Sequence, residues 1–266
     1  MHAFNYHKAS SVADAAAKLA ASDDARLLAG GQTLIAAMKM RLSAPADVID
    51  LGGIRELRGI KVEGASVTIG AMTTHAAVAA SKEVTKAIPA LAVLAASIGD
   101  PMVRNMGTVG GSVANNDPAA DYPAALVGLG ATVVTSKRKI PADQFFKGMY
   151  ETALEPGEII TSISFPIPKR AAYMKFKNPA SRYAIVGVFV AESASGMRVA
   201  ATGAGPCVFR IPDMEKALTK SFSPDAVKGI KVPAANLNTD IHASAEYRSH
   251  LVTVMAQRAI AQALKV

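Results

Sequence analysis

Two glycine-containing segments have the residue types and spacing that a bound nucleotide requires. The first is Ala29–Leu34 (Ala-Gly-Gly-Gln-Thr-Leu), which follows a predicted strand over Arg26–Ala29 and precedes a predicted helix over Leu34–Leu42. Paired glycines let the backbone turn tightly and approach a ligand without interference from Cβ atoms. The unpaired N–H groups at the start of a helix suit an anion such as a phosphate. A Gly-Gly turn before a helix is also common without any ligand, and that interpretation stays open.

The second segment, Gly107–Asp121, places three glycines, two hydroxyl side chains, two asparagines and two aspartates within fifteen residues. Such a stretch offers backbone donors for phosphate and side-chain partners for sugar hydroxyls. It is equally typical of a tightly wound loop whose Asn and Asp side chains bond their own backbone. In either case we expect the segment to interrupt regular structure between predicted helices over Pro89–Ile98 and Pro123–Leu129.

The sequence lacks the common motifs for other kinds of chemistry. The chain has no Gly-x-Gly-x-x-Gly, no Gly-x-x-x-x-Gly-Lys-Ser/Thr, no His-Glu-x-x-His and no Gly-x-Ser-x-Gly motif. Its single cysteine, Cys207, cannot form an internal disulfide, a zinc cluster or an iron–sulfur site, and we interpret it as a small buried apolar residue. The five histidines show no metal-ligand spacing, and we expect most of them at the surface. Redox chemistry would therefore need a borrowed redox centre.

The composition limits the classes of partner. The formal net charge is +8, but Lys and Arg are spread from Lys8 to Lys265, and aromatic residues make up 5% with no tryptophan. A base-stacking platform is thus poorly supplied, and we predict no nucleic-acid partner. No run approaches the roughly 18 apolar residues of a membrane span. Met1–Ser10 lacks the basic and apolar regions of a signal peptide, so the sequence predicts a soluble, cytoplasmic protein.

The length of 266 residues predicts roughly two domains. The best boundary is Pro166–Arg170, because its prolines stop the strand before it. Beyond it, strands followed by helices predict an α+β C-terminal domain. The remaining predicted strands are Asp47–Asp50, Val67–Ile69, Ala131–Ser136, Ile159–Phe165, Tyr173–Lys177, Ile185–Ala191 and Met197–Thr202, and the remaining helices are Ser10–Ala21, His75–Ala80, Asp213–Lys220 and Ala243–Leu264.

A set of motifs, in order along nearly the whole chain, resembles the FAD-binding subunits and domains of the molybdenum hydroxylases. That family includes the flavin domain of xanthine dehydrogenase and, most similar, the medium subunit of aerobic carbon monoxide dehydrogenase. Each motif is modest, but the ordered set is specific. The segments that carry the resemblance are Ala29–Leu34, Met38–Leu42, Ile69–His75, Arg104–Gly111, Ala114–Asp121, Phe146–Thr152, Glu155–Ile160, Lys175–Ala184 and Ala243–Arg248.

The resemblance implies an α+β fold of the vanillyl-alcohol-oxidase (PCMH) type. Two small FAD-binding subdomains, residues 1–55 and 56–168, would clamp FAD between them. A C-terminal domain like that of the carbon monoxide dehydrogenase flavoprotein, residues 169–266, would add a three-stranded antiparallel sheet with helices.

The resemblance also implies the residues that bind FAD. Ala29–Leu34 and Thr108–Ser112 would hold its pyrophosphate through backbone amides, and Asp121 matches a position that contacts the cofactor. Lys177 would stabilise negative charge on reduced flavin, while Tyr183 would either lie near the isoalloxazine ring or pack within a strand. The family often has His-Ser where this chain has Gln-Thr, which removes a titratable group beside the cofactor. The cofactor-binding residues so implied are Ala29, Gly30, Gly31, Gln32, Thr33, Leu34, Ile98, Thr108, Val109, Gly110, Gly111, Ser112, Asn115, Asp117, Asp121, Ile160, Lys177 and Tyr183.

The function implied by the resemblance is electron relay within a heterotrimer. A large partner subunit would hold molybdopterin and hydroxylate the substrate, and a small partner would hold [2Fe-2S] clusters. Electrons would pass through those clusters to FAD on this chain and leave to an external acceptor. No residue of this chain would be catalytic, and no metal would bind to it.

Two other functions stay open at this point. The chain could be a stand-alone flavin oxidase or dehydrogenase of the same fold, although no His or Tyr constellation indicates a substrate site. It could also be an assembly module without flavin, although the glycine segments are intact. Flavin absorbance would distinguish the module from the relay.

Overall fold

The structure is a computed structural model that describes residues 1–265, and it has the α+β class that the sequence predicts. Val266, the last residue of the predicted C-terminal domain, lies outside the described residues. The three larger sheets follow one another along the chain, in residues 5–50, 60–166 and 170–210. The exact limits of the three predicted units stay predictions. No helix within residues 1–265 has the length and hydropathy needed to span a bilayer.

The first sheet is parallel and has the order β1-β3-β2. Two of its strands and the helix between them were predicted, and the N-terminal strand β1 was not. Ser11 caps the first helix, since its side chain accepts a hydrogen bond from the Asp14 amide. The second helix ends before the predicted Leu42, because Arg41 adopts a left-handed backbone (φ 59°). The elements are β1 (Asn5–Lys8), α1 (Val12–Ala20), β2 (Ala25–Leu28), α2 (Leu34–Lys39) and β3 (Asp47–Asp50).

The second unit is built on an antiparallel sheet of order β4-β5-β10-β6-β7. Its core includes α5 and α8, which are apolar on nearly every side, as expected of helices enclosed by other elements. Its strands are β4 (Ile60–Glu63), β5 (Ser66–Gly70), β6 (Thr132–Thr135), β7 (Lys139–Pro141), β8 (Phe146–Gly148), β9 (Glu151–Thr152) and β10 (Ile160–Pro166). Its helices are α3 (His75–Ala80), α4 (Lys82–Ala87), α5 (Pro89–Ala96), α6 (Pro101–Met106), α7 (Val109–Asn115), α8 (Tyr122–Leu129) and α9 (Ala142–Phe145).

The expectation that Gly107–Asp121 lacks regular structure was wrong. Residues 109–115 form helix α7, whose N-cap Thr108 accepts a hydrogen bond from the Gly111 amide. The helix ends at Asn116, which takes a left-handed conformation (φ 43°) that Asn tolerates better than most residues. Capping and packing therefore offset the low helix propensity of the two glycines inside the helix.

The C-terminal unit is a sheet of order β11-β12-β13-β14, so the implied three-stranded sheet was one short strand too few. Helix α12 packs against β11 and β12, while α5 and α8 also pack against the sheet. β12 is buried from Ala184 to Ala191, which explains its continuous apolar run. The elements are β11 (Arg170–Lys177), β12 (Ala184–Ser193), β13 (Gly196–Thr202), β14 (Phe209–Arg210), α10 (Pro212–Lys220), α11 (Pro224–Val227) and α12 (Ala245–Ala263).

Candidate functional site

A cleft of about 560 Å³ brings the predicted site residues together. Its walls come from all three units of the chain, including Leu27 of the first, Ala71 of the second and Arg182 of the third. All of the predicted cofactor-binding residues line it except Val109 and Lys177. Val109 is fully buried beneath the wall, and Lys177 is exposed at the end of β11.

The first glycine segment forms a turn with unused hydrogen-bond donors. Gly31 has a φ of 71°, which places it in the left-handed region that favours glycine. Within residues 1–265, none of the five consecutive amides of Gly30–Leu34 donates to a protein acceptor. Thr33, which precedes α2, makes no side-chain capping bond either. Successive free amides around a left-handed residue make an anion-binding concavity.

Gly30 is where the two segments touch. A Cβ atom on Gly30 would lie 2.1 Å from the carbonyl oxygen of Met106 and 2.8 Å from Cα of Gly107. Only glycine fits this close backbone approach, and the approach fixes the distance between the first segment and the second.

The second segment uses most of its predicted pyrophosphate amides internally: four of the five in Thr108–Ser112 donate to oxygens of the protein, and the Thr108 amide has no acceptor among the described residues. The Val109 amide donates to the carbonyl of Thr73 (3.0 Å) and the Gly110 amide to that of Ala71 (2.8 Å). The Gly111 and Ser112 amides both donate to Thr108, to its hydroxyl and its carbonyl. The residues contribute a close-packed wall and hydroxyl groups instead of free helix amides.

Glycine is required in that wall by packing. A Cβ on Gly110 would lie 2.6 Å from Cβ and 2.8 Å from the carbonyl oxygen of Ala71. A Cβ on Gly107 would lie 2.7 Å from Nε2 of His75. The segment therefore lies directly on the end of β5 and the start of α3.

His75 is the exception to the expectation that most histidines lie at the surface, because it is 5% exposed and lines the cleft. Burial lowers the pKa of its imidazole to about 4, so the ring is neutral at physiological pH. Its ring lies 5.3 Å from that of Tyr122, and its amide donates to the carbonyl of Gly107. The sequence predicts the helix that His75 begins, which Thr74 caps. It carries no signal that the His75 side chain is buried.

Asp121 lies in the wall with two partners that the sequence did not predict. The Tyr173 hydroxyl donates to its carboxylate, and Nζ of Lys175 lies 3.1 Å from the carboxylate oxygens. Burial raises the pKa of the Asp121 carboxyl, and Lys175 and Tyr173 oppose that shift. The alternation of a strand places Tyr173, Lys175 and Lys177 on one face of β11, but only tertiary packing distinguishes the buried lysine from the exposed one.

Asp117 and Tyr183 line the cleft, and Tyr150 contacts Asp117 without lining the cleft itself. Asp117 accepts hydrogen bonds from the Ala119 amide (2.8 Å) and the Tyr150 hydroxyl (3.4 Å). Tyr183 precedes β12 and is 50% exposed, so it is not packed within a strand. Partial burial and the Asp117 carboxylate raise the pKa of the Tyr183 phenol.

Glu158 is a further charged residue in the cleft wall. Its carboxylate accepts hydrogen bonds from Arg138 and from the hydroxyl of Thr135, and these hold its pKa at about 2. The carboxylate therefore stays ionised and paired, which makes it a structural group in the wall of the cleft.

The residues present fit FAD. The cleft volume falls in the range of about 300–1,000 Å³ that is typical of ligand sites. Free amides at Gly30–Leu34 suit the pyrophosphate, and Ser112, Asn115 and Asp117 supply polar side chains for hydroxyl groups.

Comparison with known proteins identifies the family. Residues 2–168 match the family model of the FAD binding domain in molybdopterin dehydrogenase, and residues 171–263 match that of the CO dehydrogenase flavoprotein C-terminal domain. The chain is 36% identical to the nicotine 6-hydroxylase medium subunit of Paenarthrobacter nicotinovorans, over 98% of this chain and 97% of that protein. It is 37% identical to the carbon monoxide dehydrogenase medium chain of Afipia carboxidovorans, over 98% and 96% of the two chains.

Solved structures agree with the sequence comparisons. A chain of the Cu,Mo-CO dehydrogenase in its cyanide-inactivated form superposes with a TM-score of 0.89 at 34% identity, over 99% of this chain and 98% of that one. A chain of quinoline 2-oxidoreductase from Pseudomonas putida 86 gives the same TM-score at 30% identity, over 99% and 97%. The predicted family and fold are thereby confirmed: the chain belongs to the FAD-binding subunits of the molybdopterin-dependent oxidoreductases, and its cofactor is FAD.

Proposed function

We propose that this chain relays electrons from the iron–sulfur clusters of a small partner subunit, through FAD, to an external acceptor. A large partner subunit would hold molybdopterin and carry out the substrate chemistry. The main support is the set of free amides at Gly30–Leu34, which face no internal acceptor in the described chain and lie on a cleft of suitable volume. With one cysteine, the chain cannot supply the ligands of an iron–sulfur cluster itself. A cytoplasmic location belongs to the same proposal.

We propose that the pyrophosphate of FAD binds at Gly30–Leu34, because these amides have no acceptor among the described residues. The second segment, with its hydroxyls at Thr108 and Ser112, is placed behind the cofactor as a wall. Asn115, Asp117 and Asp121 are proposed to accept hydrogen bonds from FAD. Contacts are also proposed for the remaining predicted residues that line the cleft, Ala29, Ile98, Gly110, Gly111, Ile160 and Tyr183, and not for Val109 and Lys177.

When bound, FAD supplies the redox chemistry, and the protein supplies binding, orientation and electrostatics. Two carboxylates of the wall are paired with cations: Asp121 with Lys175, and Glu158 with Arg138. His75 stays neutral in the wall. These three groups would therefore hold the wall in a fixed arrangement around the cofactor without gaining or losing a proton.

The test uses the complex with its two partner subunits and two variants at one position. Gly31→Asp adds a carboxylate where the pyrophosphate is proposed to bind, and Gly31→Asn has nearly the same shape without the charge. Both residue types tolerate the left-handed backbone better than other side chains do. The complex is reduced anaerobically with sodium dithionite and then mixed with a soluble quinone.

We expect the clusters and the flavin to be reoxidised together in the wild-type and Gly31→Asn complexes. In the Gly31→Asp complex the flavin content should fall, and cluster reoxidation should slow in proportion. Cluster reoxidation at the wild-type rate in a complex without flavin would show that electrons leave by another route. Absence of flavin from the wild-type complex would instead favour the assembly module.

A further inference from the structure

Two side chains of the C-terminal sheet reach into the wall of the FAD cleft. The Tyr173 hydroxyl donates to the Asp121 carboxylate (2.5 Å), and Nζ of Lys175 lies 3.1 Å from it. All three side chains are buried: Lys175 and Asp121 are each 5% exposed, and Tyr173 is 4% exposed. The carboxylate therefore has a hydrogen-bond donor and a counter-charge, both supplied by β11.

Lys175 also reaches a second part of the same wall. Its Nζ donates to the carbonyl of Ser97 (2.9 Å), the residue that follows α5. The C-terminal end of a helix carries partial negative charge and favours a cation. Ile98, Gly99 and Asp100, which come next in the chain, line the cleft. One ammonium group thus joins the turn after α5 to the carboxylate that precedes α8.

The contacts with Lys175 and Tyr173 determine the charge and orientation of the Asp121 carboxylate. A buried carboxylate without a partner would be strongly disfavoured in its charged form. Paired with Lys175 and oriented by Tyr173, it stays an acceptor whose oxygens hold fixed positions. Both parts of the wall belong to the segment that matches the FAD-binding family model, residues 2–168, whereas Tyr173 and Lys175 belong to the segment that matches the C-terminal model.

We propose that Lys175 and Tyr173 are positioning residues through which the C-terminal domain sets the affinity of the cleft for FAD. They hold Asp121 and the Ile98–Asp100 turn in the arrangement that accepts hydrogen bonds from hydroxyl or N–H groups of the cofactor. The inference rests on the proposed placement of FAD in this cleft. It makes the cofactor site incomplete without the C-terminal sheet.

A matched pair of variants separates this role from general stability. Lys175→Met removes the ammonium and keeps most of the length of the side chain. Arg198→Met removes another cation that joins the same two domains, since Arg198 on β13 donates to the carbonyl of Val127 (2.7 Å) and pairs with Asp143. The Arg198 side chain is 12% exposed, and Arg198 does not line the cleft.

The measurement is the dissociation constant for FAD of the full chain, by titration of flavin fluorescence, together with the visible absorbance spectrum of the bound flavin. We expect Lys175→Met to weaken FAD binding on the order of tenfold or more, as the loss of a charge-assisted contact does, and to alter the spectrum. The dissociation constant of Arg198→Met should stay within about twofold of wild type. Arg198 shares no partner with the cleft residues, and such sites act independently.

The inference is wrong if Lys175→Met binds FAD as tightly as wild type, or if Arg198→Met weakens binding to the same degree. If circular dichroism shows that Lys175→Met is unfolded, Tyr173→Phe replaces it in the same comparison, since it removes a single oxygen from the cluster. A wild-type chain that binds no FAD would contradict the proposed placement of the cofactor itself, which distinguishes the two failures.

Discussion

The two glycine segments look alike in sequence, but most of their backbone amides are used differently. In Gly30–Leu34, no amide has an acceptor within the described residues. In Val109–Ser112, every amide donates to an oxygen of the protein. The surroundings differ in the same way, since Gln32 and Thr33 are exposed whereas Val109 and Gly110 are buried.

The difference comes from the neighbours of each segment. The second segment lies against the end of β5, where the carbonyls of Ala71 and Thr73 take its amides. The first segment contacts Met106 through Cα of Gly30 and not through its N–H groups. Its amides therefore have no acceptor among the described residues. A pair of glycines before a helix is therefore compatible with a binding turn or with a packed wall, and the neighbouring backbone decides between them.

The largest expected effect on stability comes from Gly110→Ala in the packed wall. Its Cβ would lie 2.6 Å from Cβ and 2.8 Å from the carbonyl oxygen of Ala71, so the backbone must shift. Overpacking of this kind should lower the free energy of unfolding by about 3 kcal/mol, measured by urea denaturation. Gly148→Ala is the control, because its nearest neighbour is the flexible end of Glu151 at 3.3 Å. Equal losses in the two variants would contradict the packed-wall interpretation.

The next largest effect is pH-dependent and belongs to His75, which lies behind the same wall. Its pKa is about 4 in the folded protein and 6.5 in the unfolded chain, so the unfolded chain binds more protons between these values. The stabilisation from the neutral ring is complete above pH 6.5 and is lost as pH falls towards 4, by up to about 3 kcal/mol.

The measurement is the free energy of unfolding of wild type and His75→Gln, from urea denaturation at about pH 4 and at pH 6.5. Glutamine does not titrate, so the variant should lose less stability on acidification than the wild type. The same acid-induced loss in both proteins would mean that other groups cause it.

A smaller effect distinguishes the two helix starts. The Thr108 hydroxyl accepts from the Gly111 amide, so Thr108→Ala should cost about 1 kcal/mol of unfolding free energy. Thr33 makes no capping bond, and Thr33→Ala should stay within about 0.5 kcal/mol of wild type. Thermal denaturation of the two variants is the measurement, and a larger loss for Thr33→Ala would reverse the comparison of the segments.

Much of the fold was predictable because its signals are local. The strand over Asp47–Asp50 and the helix over His75–Ala80 have the predicted limits. Helix α7 was missed because two of its seven residues are glycines, whose low propensity is offset only by contacts with residues distant in sequence. Strand β14 has two residues and no periodicity to detect.

The sequence predicted which residues line the site better than it predicted how each of them binds the cofactor. Most of the predicted residues line one cleft, but sequence did not reveal which amides are free, since that depends on acceptors from other segments. Lys175 and Lys177 share one strand face and one side-chain type. Only the packing of β11 against α5 buries the first and leaves the second exposed.

The central claim is that FAD is held by its pyrophosphate on the first segment and backed by the second. The most direct test is the FAD dissociation constant of Asp and Asn variants at Gly31 and at Gly111. Two negative charges about 5 Å apart at a partly buried site repel by about 3 kcal/mol. We therefore predict that Gly31→Asp binds FAD on the order of 100-fold more weakly than Gly31→Asn, and that Asp and Asn at Gly111 differ much less. An Asp–Asn difference that is larger at Gly111 than at Gly31 would contradict the account and place the pyrophosphate on the second segment.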